Sequence, residues 1–121
     1  MMELDFLREC GVFYLLTVNE GKPAGRPFGA VMEHEGKLYF STGTMKDVYR
    51  QLKANGQIQI VALKNGTRDW IRIDGRAEEC CDVLVKAKML EECPVLKNRF
   101  DSPECEYYAL FSVEDMQAHI M

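Results

Sequence analysis

Hydrophobic and polar positions change their period several times along this chain, and each change marks an element. Leu4, Phe6 and Leu7 stand among charged residues over 2–9, the pattern of a short helix lying on a core, and Gly11 ends it. Residues 12–18 form a β-branched and aromatic run that predicts a strand, followed by a turn over 19–23. Residues 26–32 predict a second strand in which Pro27 and Gly29 are unusual. Proline cannot donate to a ladder and belongs at an edge or a strand start, and glycine there marks a close approach to the backbone. An irregular strand entry accounts for both equally well. His34-Glu35-Gly36 is a tight turn into a third strand over 37–41. Residues 47–54 read as a helix with Val48, Leu52 and Gln51 towards one side, stopped by Asn55-Gly56.

Further on, residues 57–63 set Ile58, Ile60 and Ala62 against the positions between them, a strand with one drier face. Asn65-Gly66 is a two-residue hairpin signal leading into a long strand over 68–78. A helix is predicted over 83–90, a break at Pro94, a loop or short helical piece over 97–102 and a last strand over 107–113. The tail from Glu114 is expected to add a helical turn or more. These are six strands and no βαβ repeat, which predicts a mainly β fold of short antiparallel strands closing on themselves, with short flanking helices. One domain over 1–121 suits the length.

Composition narrows the function. A net charge of -4 argues against binding nucleic acid by phosphate neutralisation. Phe13, Tyr14, Phe28, Tyr39 and Phe40 lack a basic groove beside them, so core packing explains them better than base stacking. Five cysteines with no CxxC spacing predict neither a disulfide scaffold nor a zinc site. No stretch is apolar enough for a membrane span and the acidic start MMELDFLREC is no signal peptide, so a cytoplasmic protein is expected. A 121-residue chain buries only about two-thirds of its extended-chain surface, which leaves little room for an enclosed site; a site shared across a dimer would relieve this.

The chemistry concentrates in Ser41-Thr42-Gly43-Thr44-Met45-Lys46. Hydroxyls, the free N–H groups of a helix start and a lysine charge are what a phosphate needs, and Arg50, four residues on, stands on the same helical face. The spacing is neither a Walker A loop nor GxGxxG. Thr44 as a plain helix cap, with Lys46 and Arg50 as surface charges, is the competing reading. Arg26 at the second strand's entry could serve the same phosphate or remain a solvated charge. Trp70 and Arg72 alternate on one strand and share a face. No pair of acidic residues has a spacing that points to hydrolysis, and Tyr39, Tyr49 and His34 are weak candidates for a proton donor.

The run RPFGAVMEHEGKLYFSTGTMKDVYRQLKANGQIQI, followed by TRDWIRIDGRAE, resembles the pyridoxamine 5'-phosphate oxidase-like family over residues 13–78. The RP strand entry, the LYFST strand, the lysine at the next helix, the NGQIQI strand and the W-x-R-x-x-G strand occur in the family's order. The resemblance implies a six-stranded antiparallel split β-barrel and a homodimer holding FMN at the subunit interface. It implies that Arg26 and Lys46 grip the phosphate and that Ser41 and Thr42 contact phosphate or ribityl hydroxyls. Pro27, Phe28 and Gly29 would run beside the flavin ring, with Trp70 and Arg72 arriving from the partner. An FMN-dependent oxidoreductase of a small molecule, fed by a nicotinamide or a protein donor, is the implied activity; a non-catalytic flavin carrier or a cofactor-free structural or regulatory dimer are the alternatives. The ending EYYALFSVEDMQAHIM lacks the arginine- and histidine-bearing segment that the longer biosynthetic oxidases use for pyridoxal phosphate. Short members of the family also include haem-linked and deazaflavin-dependent proteins, and Lys46 in a short acidic chain suits FMN better than the longer-tailed deazaflavin.

Overall fold

The computed structural model describes residues 1–121. A first helix, α1 (Met2–Cys10), leads into strands β1 (Phe13–Asn19), β2 (Lys22–Phe28), β3 (Met32–His34) and β4 (Lys37–Gly43). Helix α2 (Asp47–Ala54) follows, then β5 (Gln57–Leu63), β6 (Trp70–Cys80), helix α3 (Val83–Glu92), a 3-10 helix (Pro94–Asn98) and β7 (Tyr108–Ile120). All seven strands form one antiparallel sheet in the order β2-β1-β5-β6-β7-β4-β3.

This corrects the expected six-stranded split barrel on two counts. There are seven strands, and the end strands β2 and β3 share no ladder, so the sheet is open. The extra strand comes from a break at Gly29–Val31, and a turn tighter than the sequence reading allowed lengthens β2 at its start. Glu20 and Gly21, at φ 51° and 79°, form a two-residue turn of the twist-matched kind, so Lys22 and Pro23 already pair with β1. The stretch expected as one strand over 26–32 is broken at Gly29–Val31, and its two parts lie at opposite ends of the sheet. Two of the four prolines, Pro23 and Pro27, fall on β2, an end strand with one neighbour, where a missing donor is tolerated. Glu35-Gly36 repeats the positive-φ turn between β3 and β4, as expected. Asn65-Gly66 lies in a six-residue loop, wider than a two-residue hairpin, because Leu63 and Trp70 are the last paired residues.

The expected helical tail is the second half of β7. Met116 and Ala118 alternate inward against the core while Gln117 and His119 face out, a period of two that a helix would scramble. The chain bends there at a bulge. The extra residue lies on β7, at Asp115-Met116, and Gly75 stands opposite because a Cβ would come within 2.7 Å of Val113 Cγ1 and 3.0 Å of the Glu114 carbonyl oxygen.

Two cores lie on opposite faces of β4 and β7. The larger joins Phe13 and Leu15 of β1, Ile58 and Ile60 of β5, Ile71 and Ile73 of β6, and Phe40 and Phe111 to α1 and to Val48 and Leu52 of α2. The smaller joins Met32, Tyr39, Tyr108 and Leu110 to Val85, Met89 and Leu90 of α3 and to Leu96 and Phe100. Burial on both faces explains why LYFST and YYALFSV do not alternate and are buried almost throughout, Ser41, Thr42 and Ser112 included, whereas β5 alternates as predicted. Phe28, on end strand β2, lies 6.1 Å from the Phe13 ring and 5.8 Å, edge to face, from the Phe40 ring. Side chains therefore bring β2 against β4 although no backbone bond joins them. The outer face of β1, β5 and β6, with Tyr14, Val61, Leu63 and Trp70, carries no helix of this chain.

Phe40 is 1% exposed and stacks on Phe111 at 5.7 Å. Phe40→Ala is expected to cost about 3–5 kcal/mol in urea unfolding, and Phe40→Leu clearly less. Glu114 accepts from Lys37 Nζ at 2.7 Å and from the Ser112 hydroxyl at 2.5 Å, and these bonds hold its carboxyl below its ordinary value. A lowered folded-state pKa contributes stability above the unfolded value, about 4.3 for glutamate, and loses it as pH falls through the folded one. Glu114→Gln is expected to flatten the acid limb of a pH–stability curve below about pH 4.3 and to leave its shape near neutrality unchanged.

Candidate functional site

A cavity of about 510 Å3 opens where β2 and β4 meet without pairing. Its walls come from four pieces of chain: β2 and the 29–30 link, the end of β4, the start of α2, and the segment around the 3-10 helix. Both cores contribute, Val48 from the larger and Leu96 and Phe100 from the smaller. The volume lies inside the range of about 300–1,000 Å3 usual for small-molecule sites.

Arg26 points inward from β2, half-buried. One terminal nitrogen donates to Thr17 Oγ1 at 2.9 Å and the Leu15 carbonyl at 3.1 Å; the other donates to Gln51 Oε1 at 2.7 Å. Gln51 Oε1 also accepts the Thr17 hydroxyl at 2.6 Å, so a buried amide on α2 and a buried hydroxyl on β1 hold the guanidinium in one pose. All these acceptors are neutral. Burial pushes the Arg26 pKa down, and the charge of Asp47 opposes that. The arginine is thus anchored through hydrogen bonds with no carboxylate to neutralise it.

Ser41 and Thr42 close the floor, at 8% and 7% exposure, and the Ser41 hydroxyl has no hydrogen-bond partner. An unpaired buried hydroxyl costs roughly 1–3 kcal/mol, which a ligand acceptor in the cavity would offset. Lys46 is exposed at the position just before α2, and no side chain caps that helix. In its first turn the Asp47 and Val48 N–H groups have no backbone acceptor, whereas the Tyr49 N–H donates to the Lys46 carbonyl at 3.1 Å; Val48 lines the cavity. Gly29 needs no special backbone angle, and a Cβ there would meet only the Gly11 carbonyl oxygen at an ordinary 3.7 Å. This chain's own packing does not call for that glycine.

Seven of the residues singled out from sequence line this one cavity: Arg26, Pro27, Phe28, Gly29 and, across from them, Ser41, Thr42 and Lys46. Thr44 and Arg50 do not. The Thr44 N–H donates to the Tyr107 carbonyl at 3.0 Å, and Arg50 points to Asp47 at 3.9 Å on the exposed side of α2. Trp70 and Arg72 lie on the outer face of β6, alternating with the fully buried Ile71 and Ile73. The Arg72 Nε is buried there without a hydrogen-bond partner and stands 3.6 Å from Asp74. Sequence reasoning missed Gln51's part in holding Arg26 and missed the 3-10 wall with Arg99. The signal for Gln51 was its place beside Val48 and Leu52 on the buried side of α2; for Arg99 it was only a basic residue after Pro94. His34, expected in a turn, ends β3 half-buried, with Lys88 Nζ 3.3 Å from its Nδ1.

Residues 3–104 match the family model described as pyridoxamine 5'-phosphate oxidase. The chain belongs to this family. Membership places it in a superfamily of flavin-binding folds and does not make it that oxidase. The chain is 36% identical to a NimC/NimA family protein from Clostridium acetobutylicum, with a TM-score of 0.94 over 99% of this chain and 85% of that one. General stress protein 26 from Bacillus anthracis (19% identity, TM-score 0.77, 99% and 95% of the two chains) has the same fold. So has HutZ, the haem storage protein of Vibrio cholerae (16%, 0.76, 98% and 92%). No curated protein matches in sequence. No helix of this family member is long and apolar enough to cross a membrane.

Gln51→Leu keeps the helix and the volume but deprives Thr17 and Arg26 of their shared acceptor. The variant is expected to lose about 1–3 kcal/mol of stability, read from its urea midpoint, while Gln51→Glu retains the Arg26 contact and loses less.

Proposed function

We propose that the cavity binds FMN and that the protein is a flavin-dependent oxidoreductase of a small molecule, working as a homodimer. The observation that carries this reading is the Ser41 hydroxyl, buried, unpartnered and lining a cavity beside Lys46 and an uncapped helix start. Those groups match a phosphate: a hydroxyl and backbone N–H donors for its oxygens and a mobile cation for its charge. Arg26, held in place by Gln51, adds a fixed positive charge. Pro27, Phe28 and Gly29 supply the flat, partly apolar wall that a fused ring needs, and Gly29 keeps side-chain bulk away from it.

When bound, the flavin accepts and passes on a hydride or electrons. The chain's own part is binding, orientation and charge. Arg26 and the backbone donors stabilise negative charge developing near them, and the apolar residues of both cores keep water from the buried side. The homodimer is supported by the outer face of β1, β5 and β6. The partly exposed Arg72 side chain and a half-exposed Trp70 there are what a second copy could meet, bringing both residues to its site.

Flavin-free protein titrated with FMN is expected to quench flavin fluorescence saturably at one FMN per chain. Lys46→Ala and Ser41→Ala are each expected to weaken binding by about tenfold, the worth of one charge-assisted bond. Sedimentation should find a dimer. Absence of saturable quenching, or full affinity in both variants, would falsify the phosphate assignment. NADH or NADPH oxidation by the loaded protein tests turnover separately.

A further inference from the structure

Three cations, Arg26, Lys46 and Arg99, line the cavity and no aspartate or glutamate does, in a protein whose net charge is -4. A phosphate at the Ser41 end has Lys46 and Arg26 beside it. Arg99 belongs to a different wall, at the C-terminal end of the 3-10 helix. It makes no ion pair and no side-chain hydrogen bond, although neighbours on nearby elements are satisfied: Arg8 pairs with Glu92, Lys86 donates to the Tyr108 carbonyl, and Lys88 donates to the Glu33 carbonyl. Exposed Lys97, Asn98 and Asp101 flank it along the chain, but the cavity wall beside it is apolar. Val95 is 66% exposed, and Leu96 and Phe100 lie beneath. Phe100 is fixed there by stacking on Tyr108 at 4.6 Å. One unpaired guanidinium beside an apolar wall is suited to a compound with an apolar body and a carboxylate head, because the planar fork takes both carboxylate oxygens at once.

We propose that Arg99 forms a second anion subsite, and that the molecule entering beside the flavin is a small aromatic or apolar carboxylate gripped by Arg99 against Val95, Leu96 and Phe100. Calling this molecule the reactant rests on the flavin reading above; the subsite itself can be measured without flavin. It gives the cavity two anion-binding ends of different character. The deep end has hydroxyls and backbone donors, and the outer end has a single exposed guanidinium on an apolar step. A neutral compound of the same shape would keep the apolar contact and lose the paired hydrogen bonds.

The test is calorimetric titration of benzoate and, separately, of benzyl alcohol into both FMN-loaded and flavin-free protein, repeated with Arg99→Gln and Arg99→Lys. Saturable benzoate binding is expected, with benzyl alcohol weaker by about tenfold or more. Arg99→Gln should lower benzoate affinity by about tenfold, Arg99→Lys should recover part of it, and FMN affinity should stay within about twofold, well under one charge-assisted bond. Arg99 is exposed, so unchanged circular dichroism and urea midpoint are expected to show both variants folded. The subsite is overturned if benzoate binds no better than benzyl alcohol, if Arg99→Gln leaves benzoate binding intact, or if that variant weakens FMN instead, which would make Arg99 a flavin ligand. A wild-type protein that never binds FMN would remove the flavin reading alone; the benzoate series on the flavin-free protein would then decide Arg99 by itself.

Discussion

The contact between Phe28 and Phe40 joins two strands that share no hydrogen bond. β2 ends one side of the sheet and β4 lies next to the other end, yet the two rings meet edge to face at 5.8 Å. Burying those rings with Phe13 and Phe111 draws the sheet round on itself. The break at Gly29–Val31 then lets β3 leave for the opposite end. A continuous strand there would have to satisfy both ladders from one backbone. The outcome is a seam held by side chains, and the cavity is what the seam leaves open.

This origin explains the mixed character of the site. At a seam, strands expose backbone and short side chains where a closed sheet would pair them. Ser41 and Thr42 are buried by their neighbours, yet they face space as well as packing. The start of α2 points into the same gap because α2 packs Val48 and Leu52 on the larger core. Arg26 is tied down through Gln51 of that helix, so one short helix sets the position of two of the cavity's cations. The third, Arg99, depends on the other core, through Leu96 and Phe100. Charges brought by two separately packed units thus converge on one volume with no acidic residue in its lining.

A site made this way is also economical for a small chain. About two-thirds burial leaves no material for a dedicated pocket wall, and here the two hydrophobic cores serve as walls without added residues. The cost falls on stability, since Ser41 Oγ and Arg72 Nε are buried without a hydrogen-bond partner, the latter with only Asp74 at 3.6 Å beside it. Ser41 lies in the cavity lining and Arg72 on the uncovered sheet face, the two places where something outside the chain could bind.

Much of this was written in the sequence wherever a single face or a local turn decides structure. The alternation of Ile58, Ile60 and Ala62, the Glu35-Gly36 turn, the extent of α2 and the two short segments, 26–29 and 41–46, that bring seven residues to the cavity could all be read there, because period, turn chemistry and capping are local. Among the things that could not, three bear on the site. The strand count failed because the stretch over 26–32 breaks at Gly29–Val31 into two strands, while Glu20-Gly21, turning within two residues, lets Pro23 into an end strand where its missing donor does no harm. Closure failed because whether sheet ends pair depends on curvature, a sum over all seven strands, with the Gly29–Val31 break free to send β3 either way. Arg99 was invisible because its place follows from Phe100 stacking on Tyr108, a contact between a loop residue and the last strand that no pattern along the chain encodes. Local chemistry determined the donors; only the packing of two cores on one curled sheet decided which of them face the same space.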